Sequence, residues 1–144
     1  MEAALRWRHI DFTTFVDRRG NLTPIEGGTD TVFDIARIYY LHGVPLGSHR
    51  AGHAHKALQQ IYLAVSGRFD VHLDDGVYQD TITLRRPDRG IYIGPGVWRD
   101  IDNFAAGSVC LVLASAKFDE TDYIRDYDDF RSYAERRQPA RVDA

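Results

Sequence analysis

The chain has 144 residues, of which 44% are hydrophobic and 27% charged, values that are ordinary for a globular domain with one core. Its net charge of −3 argues against a nucleic-acid-binding surface, which would carry a basic stripe. No apolar run approaches the about 20 residues that a membrane span needs, and the first residues lack the apolar core of a signal peptide. The single cysteine, Cys110, lies in an apolar run, which is typical of a buried thiol in a reducing cytoplasm. We therefore expect one cytoplasmic domain over residues 1–144, with no nucleic-acid or membrane partner.

The first half of the chain predicts short strands separated by turns. Residues 12–16 are aromatic and β-branched, which favours a strand, and a second candidate strand covers residues 33–41. On this second strand, Arg37 and Tyr39 share one face. A loop rich in glycine and proline then leads into residues 47–60, which contain three of the six histidines.

The second half predicts further strands followed by a helix. Residues 68–74 alternate strictly between polar and apolar types, and the Asp75-Gly76 pair after them indicates a hairpin. Apolar and aromatic residues recur every three or four positions over about 121–137, which predicts an amphipathic helix with Asp119 or Thr121 as its N-cap. The other candidate strands cover residues 60–65, 77–84, 91–93, 98–101 and 109–115. The pattern predicts an all-β fold, an antiparallel sandwich or barrel over about residues 10–117, with one C-terminal helix.

Two histidines are the first candidates for chemistry. His53 and His55 are two positions apart, so an extended backbone would point both imidazoles into the same volume. Histidines at this spacing lie more often on a solvated strand face, but these two stand in a polar cluster just before an apolar strand. Imidazole suits both metal binding and proton transfer near neutral pH. These two residues alone leave the choice between a metal and a substrate open.

The spacing around these histidines resembles the two sequence motifs of the cupin barrels. The first motif matches Gly47-x5-His53-x-His55-x4-Gln60-x6-Gly67, and the second approximately matches Gly94-Pro-Gly-x-x-Arg99-x3-Asn103. Cupins normally carry glutamate in the Gln60 slot and histidine in the Arg99 slot. Because a guanidinium has no acceptor atom, the resulting set of side chains forms a poor cage for a divalent metal. The resemblance implies a small jelly-roll barrel, and the two substitutions favour a metal-free site.

Longer segments narrow the resemblance to one enzyme family. They are Asp17-x-Arg-Gly-x-Leu-x-x-Ile-Glu26, Arg37-x-Tyr-Tyr40, Arg50-x-x-His-Ala-His-Lys56, Leu73-Asp-Asp-Gly76, Gly94-Pro-x-Val-Trp98 and Ala114-Ser-x-x-Phe-Asp-Glu-Thr-Asp-Tyr-Ile-Arg125. With these segments the chain resembles the sugar 3,4-ketoisomerases that act on dTDP-4-oxo-6-deoxyglucose, from about residue 12 to about residue 133. The His-Ala-His-Lys block and the Asp-Glu-Thr-Asp-Tyr-Ile-Arg block carry most of the specificity.

The resemblance implies an isomerase that uses neither metal nor cofactor and moves a keto group from C4 to C3 of a nucleotide-linked sugar in deoxysugar or deoxyaminosugar biosynthesis. Abstraction of the C3 proton gives an enediol(ate), and reprotonation at C4 gives the 3-keto sugar. It implies His53 as the base for the carbon-bound proton and His55 as the proton shuttle between the oxygens, with the order of the two roles open. Arg50 and Arg99 would hold the diphosphate or the developing enolate oxygen, since a guanidinium matches paired oxygens. The full set of expected substrate contacts is Arg37, Tyr39, Arg50, Lys56, Gln60 and Arg99.

Two finer expectations follow from the same family. Its members carry histidine or arginine in the Arg99 slot, and their products have either glucose or galactose configuration at C4. Because arginine stays protonated and is a very weak acid, we expect Arg99 to favour the glucose-configured product. The resemblance also implies a homodimer, in which N-terminal strands within the first 26 residues can be exchanged.

Three other functions stay open on the sequence alone. A metal-dependent cupin oxygenase is opposed by Gln60 and Arg99, and a non-catalytic cupin could bind a sugar nucleotide without converting it. A dTDP-sugar 3,5-epimerase shares the barrel and abstracts protons beside the same 4-keto group. The His-Ala-His block and the segment that ends at Arg125 fit the ketoisomerases better than the epimerases.

Overall fold

The computed structural model describes residues 6–137 and contains two antiparallel β-sheets with a helix after them. The strands are β1 (Trp7–Asp11), β2 (Arg37–Leu41), β3 (Arg50–His55), β4 (Gln60–Ser66), β5 (Phe69–Asp74), β6 (Gln79–Leu84), β7 (Arg89–Ile93), β8 (Trp98–Asp102), β9 (Val109–Ala114) and β10 (Tyr123–Ile124). A 3₁₀ turn, Glu120–Asp122, precedes β10, and the helix α1 covers Tyr127–Arg137. None of the helices between residues 6 and 137 is long and apolar enough to cross a bilayer.

The two sheets enclose the main core. One sheet has the order β1-β7-β4-β9-β2 and the other β10-β3-β8-β5-β6. In β5 the apolar members of the alternating pattern, Phe69, Val71 and Leu73, are all buried between the sheets, while Asp70 and His72 are partly exposed. Burial of each such apolar side chain is worth about 1.5–3 kcal/mol. The predicted all-β, cupin-like sandwich with one C-terminal helix is confirmed, whereas the single-domain boundary of 1–144 stays a prediction.

The apolar run in β4 is buried on both of its faces. Tyr62 points into the core between the sheets, whereas Ile61 and Leu63 belong to a second cluster on the other face. Phe12 and Phe33, from the segment between β1 and β2, cover that second face. Because both faces are covered, this strand shows no polar–apolar alternation in the sequence.

The N-terminal strand lies earlier in the chain than the sequence pattern predicted. Residues 12–16 do not form a regular strand, and β1 instead pairs with β7 from Trp7 opposite Ile93 onward. Phe12 is drawn into the second cluster, and Phe15 keeps only an isolated bridge to Leu22. Tertiary packing of Phe12 has overridden the local preference of this segment for strand, whereas Phe15 is 61% exposed.

The C-terminal helix begins six residues after the predicted position. Asp119 does act as an N-cap, but it caps only the short 3₁₀ turn, through the backbone N–H of Thr121. The chain then becomes extended because Tyr123 pairs with His55 in β3. The helix starts at Tyr127, and the carboxylate of Asp126 accepts a hydrogen bond from the N–H of its first turn. This correction brings the segment before the helix to the edge of β3.

Candidate active site

A bulge in β3 precedes the two histidines. The register between β3 and β8 shifts between Ala51 and His53, and Gly52 at the bulge has φ of 75°. After the bulge, His53 is 8% exposed and His55 is fully buried. Their ring centroids lie 4.8 Å apart, with the ring planes at 81°. The two imidazoles therefore form one contacting, edge-to-face pair.

Tyr123 on β10 packs against both imidazoles. Its ring centroid lies 4.9 Å from that of His53 and 4.3 Å from that of His55. The guanidinium of Arg125 stands over the same tyrosine ring at 4.1 Å and forms two hydrogen bonds to Glu120, of 2.7 and 2.8 Å. The sequence patterns predicted no site role for Tyr123 or Arg125, although both belong to the Asp-Glu-Thr-Asp-Tyr-Ile-Arg block.

A hydrogen-bonded network lies inside the barrel beside the histidines. Arg99 is fully buried and donates to Gln60 Oε1 at 2.5 Å and to the carbonyl of Val97 at 2.9 Å. Gln60 Nε2 donates to the hydroxyl of Tyr39 at 3.1 Å, and the hydroxyl of Tyr62 donates to Gln60 Oε1 at 3.3 Å. The network places a permanent positive charge in the interior without a carboxylate among these partners.

Two adjoining cavities reach the histidines. The larger has about 430 Å³ and is lined by His53 together with Tyr39 and Arg50, which were predicted as substrate contacts. The smaller has about 130 Å³ and is lined by His55. Arg37 and Tyr123 line both cavities and so stand at their boundary. The two imidazoles were expected to face one volume. Their rings do contact each other, but His53 lines the larger cavity and His55 lines the smaller one.

Three predicted substrate contacts lie away from the two cavity walls. Gln60 and Arg99 line neither cavity, because they lie behind Tyr39 and Tyr62 in the buried network. Lys56 is exposed, and its ammonium group donates to the carbonyl of Thr121 at 3.4 Å. Gln60 and Arg99 can act on the site through the network, whereas the structure does not bring Lys56 into it.

Burial keeps both imidazoles neutral. Loss of hydration, followed by the charge of Arg99, lowers the pKa of His53 and the pKa of His55 to about 3. Arg125 adds to the effect on both rings, and Arg37 adds to the effect on His55. The Nε2 atoms of both rings are buried and have no hydrogen-bond partner within the described residues. Each ring therefore presents an unused nitrogen in a neutral imidazole, which is what a proton-transferring group needs.

The donor set does not fit a divalent metal. In residues 6–137 no group of three or more His, Cys, Asp or Glu side chains is arranged to hold a metal ion. The amide oxygen of Gln60, the remaining candidate ligand beside the histidines, already accepts hydrogen bonds from Arg99 and Tyr62. A cation placed there would also meet the guanidinium charge of Arg99.

A larger cleft of about 750 Å³ lies elsewhere, and its polar groups are bonded to one another. It is lined by residues of β5, β6 and β8 and by Tyr127 at the start of α1. The hydroxyl of Tyr127 donates to Asp74, and the indole N–H of Trp98 donates to Asp100 at 2.9 Å. Volume alone would select this cleft, but it offers no buried, unused nitrogen of the kind found at the histidine pair.

Comparisons with known proteins identify the family of the chain. The family model described as "FdtA: WxcM-like, C-terminal" matches residues 6–135. A TDP-4-oxo-6-deoxy-alpha-D-glucose-3,4-oxoisomerase of Aneurinibacillus thermoaerophilus is 43% identical over 124 residues, which are 86% of this chain and 89% of that protein.

Solved structures of sugar 3,4-ketoisomerases are also similar to this chain. The crystal structure of QdtA, a sugar 3,4-ketoisomerase from Thermoanaerobacterium thermosaccharolyticum in complex with TDP, has a TM-score of 0.92 and 41% identity, covering 95% of this chain and all of that chain (100%). The TDP-quinovose 3,4-ketoisomerase WlaRB from Campylobacter jejuni has a TM-score of 0.85 and 38% identity, covering 90% of this chain and 99% of that chain. The oxygenase, epimerase and binding-protein alternatives are not favoured. The chain therefore belongs to the FdtA-like family of sugar 3,4-ketoisomerases, and the predictions of this family and of an isomerase are confirmed.

Proposed function

We propose that the protein converts dTDP-4-oxo-6-deoxy-D-glucose into the dTDP-3-oxo-6-deoxy sugar by proton transfer between its two histidines and the sugar, without a metal. The observation that carries the proposal is the contacting pair of neutral imidazoles, each with an unpartnered, buried Nε2. The relative of 43% identity bears the name of the same substrate. The cationic cavity beside His53 supplies the charge that a sugar diphosphate needs.

The reaction needs two proton transfers at carbon and one exchange between oxygens. A base takes the proton from C3, the C3–H electron pair forms the C3=C4 double bond, and the C4 carbonyl oxygen becomes an enolate oxygen that accepts a proton. The C3 hydroxyl then loses its proton as C3 becomes the carbonyl carbon, and C4 receives a proton. We assign the carbon-bound proton to His53 and the oxygen-side transfers to His55, and the opposite order uses the same groups.

The substrate's charge is matched by arginines around the larger cavity. Arg37, Arg50 and Arg125 line it, and guanidinium groups suit paired phosphate oxygens. A bound diphosphate would offset part of their positive charge at the two imidazoles. We therefore expect substrate binding to raise the pKa of both rings and so to strengthen them as bases.

Arg99 supports a glucose-configured product at C4. Its guanidinium is fully buried, is held by Gln60 and Val97, and has no readily lost proton with which to protonate the opposite face of C4. The relative WlaRB carries the name of quinovose, the 6-deoxy sugar of glucose configuration. Reduction of the product followed by NMR coupling analysis should show an equatorial C4 hydroxyl, and an axial hydroxyl would contradict this assignment.

The reaction class is tested by incubation with dTDP-4-oxo-6-deoxyglucose in deuterated water. We expect a 3-keto product that carries deuterium at C4, the carbon that receives a proton, because the transferred proton passes through an exchangeable imidazole group. Deuterium at C3 or C5 with the 4-keto group retained would instead identify an epimerase. Substrate that binds but stays unlabelled would identify a non-catalytic binding protein.

We also propose a homodimer with exchanged N-terminal strands, located in the cytoplasm. β1 is an edge strand whose ladder to β7 could be formed equally by the same strand of a second copy. The other edge strand, β2, exposes Ile38 and Tyr40, each 60% exposed, which a partner surface would cover. The buried thiol of Cys110 suits a reducing compartment. Sedimentation equilibrium should give twice the chain mass, and a stable monomer would contradict the dimer.

A further inference from the structure

Asp122 ties the catalytic strand to the segment before the helix. Its Oδ2 lies 3.2 Å from Nδ1 of His55. Its carboxylate also accepts the backbone N–H of Ala57 at 2.8 Å and of Leu58 at 3.2 Å, and its own carbonyl accepts the N–H of Lys56 at 3.0 Å. Hydrogen bonds to its side chain and to its backbone therefore hold Asp122 against the imidazole of His55.

The Asp122 carboxylate acts as an acceptor, and this sets the direction of its hydrogen bond with His55. Backbone N–H groups can only donate, so both oxygens of the Asp122 carboxylate are used as acceptors by Ala57 and Leu58. An ionised carboxylate has no proton to donate, so Nδ1 of His55 is the donor in its contact with Oδ2. A neutral imidazole carries one proton, so the lone pair lies on Nε2, which is buried and has no partner among residues 6–137.

We propose that Asp122 is a positioning residue that holds His55 in the Nδ1–H tautomer, so that Nε2 is the nitrogen that exchanges protons with the sugar. The inference depends on the proposed function only where it names the sugar, because the tautomer is a property of the free protein. When Nε2 accepts a proton, the Asp122 carboxylate also stabilises the resulting imidazolium through the same hydrogen bond.

A second carboxylate in the same segment provides a matched control. Asp119 accepts hydrogen bonds from the backbone N–H and the hydroxyl of Thr121, at 3.0 and 2.7 Å, and caps the 3₁₀ turn. Its hydrogen bonds hold the segment without involving His55. Asp119→Ala therefore weakens the segment alone, whereas Asp122→Asn changes the partner of the imidazole.

The direct test is the tautomer of His55 in the ligand-free, full-length protein. Two-bond ¹H–¹⁵N correlation spectra of protein labelled at histidine distinguish a protonated from an unprotonated ring nitrogen, and His55→Gln identifies the signals. We expect Nδ1 of His55 to be protonated and Nε2 to be unprotonated. A wild-type ring with its proton on Nε2 would overturn the proposal without any variant.

The variants separate positioning from support of the fold. In Asp122→Asn an amide N–H can donate to Nδ1, so we expect the Nε2–H tautomer to appear and kcat to fall about 10–100-fold, with KM changed less than about threefold. Asp122→Glu retains a carboxylate and should restore part of kcat and of the Nδ1–H signal. Asp119→Ala should lower Tm and keep the tautomer. Loss of the tautomer in Asp119→Ala to the same extent, or an unchanged tautomer and kcat in Asp122→Asn, contradicts the role.

Failure of the proposed function gives a different result. A protein that does not convert dTDP-4-oxo-6-deoxyglucose, yet shows the Nδ1–H tautomer that Asp122→Asn removes, retains the positioning role and loses only its assigned substrate. A protein that converts this sugar with His55 in the other tautomer retains its function and loses the role of Asp122.

Discussion

Two histidines on the same sheet, His55 and His72, each pair with an aspartate, and they differ in whether a ring nitrogen is left without a partner. His72 on β5 bonds Asp102 at 2.6 Å through Nε2 and the hydroxyl of Thr81 at 2.9 Å through Nδ1. His55 on β3 bonds Asp122 at 3.2 Å through Nδ1 only. The side chain of His72 is 39% exposed and that of His55 is fully buried.

The difference shows which observations point to chemistry. The His72 pair has the shorter bond and borders the larger cleft, yet both ring nitrogens already have partners. The His55 pair has the longer bond and the smaller cavity, but it keeps a buried nitrogen unused. A buried polar atom without a partner costs free energy, so its retention beside a cavity is a better sign of function than volume or bond length.

The largest expected effect is on kcat, and it distinguishes His53 and His55 from His72. His53→Asn or His55→Gln should lower kcat by about 1,000-fold or more, because each removes a proton-transferring group. His72→Gln should change kcat less than about twofold. Both effects are measured as formation of the 3-keto sugar, with TDP affinity measured by calorimetry and expected to change little in all three variants. A His72 variant as inactive as the other two would erase the distinction between the pairs.

Acid stability should also depend on the inner histidines. Burial lowers the pKa of His53 and of His55 from the ordinary 6.5 to about 3, so only the unfolded chain binds protons at these rings as the pH falls below 6.5. The free energy of unfolding should therefore decrease with falling pH, by up to about 1.4 kcal/mol per pH unit for each ring. Urea unfolding near pH 6 and near pH 5 measures this slope. The double variant His53→Gln/His55→Gln is the control, and an equal slope in that variant would contradict the prediction.

Removal of the Arg99 charge separates the two causes of the lowered pKa values. Arg99→Gln should raise the pKa of His53 and of His55 toward the ordinary value, while burial continues to hold both below it. The loss of its hydrogen bonds to Gln60 and Val97 should cost about 1–3 kcal/mol of stability. Histidine NMR titration gives the pKa values. Unchanged values would mean that burial alone keeps the rings neutral.

The sequence could predict the elements whose pattern is local. The alternation in β5 predicted that its apolar residues are buried, and the His-x-His spacing predicted that the two imidazoles share one face of the strand, where the structure brings the rings into contact. Gln60 and Arg99 were found as departures from a motif, and in the structure their side chains are hydrogen-bonded to each other. These features depend on a strand's period of two or on a fixed spacing.

The rest depends on contacts that are distant in the sequence. Tyr123 and Ile124 fit the spacing of the following helix, so the pattern could not show that they pair with His55 and Ala54 as β10. The role of Asp122 follows from that register, since it lies next to Tyr123 and 67 positions from His55. The block that contains it was recognised as specific to the family, but it was interpreted as the start of a helix. A local period cannot reveal a two-residue strand.

The smallest effect comes from the same chemical change made in each region. Tyr127→Phe removes the hydroxyl that bonds Asp74 in the outer cleft, and we expect a loss of about 1 kcal/mol of stability with kcat unchanged. Tyr62→Phe removes the hydroxyl that bonds Gln60, and with it one of the contacts that orient the amide toward Tyr39. We expect this inner variant to lower kcat several-fold at a similar cost in stability. Chemical denaturation and initial rates measure both. Because both variants should lose similar stability, only kcat distinguishes the two hydroxyls. An equal fall of kcat in both variants would place the outer cleft in the catalytic machinery.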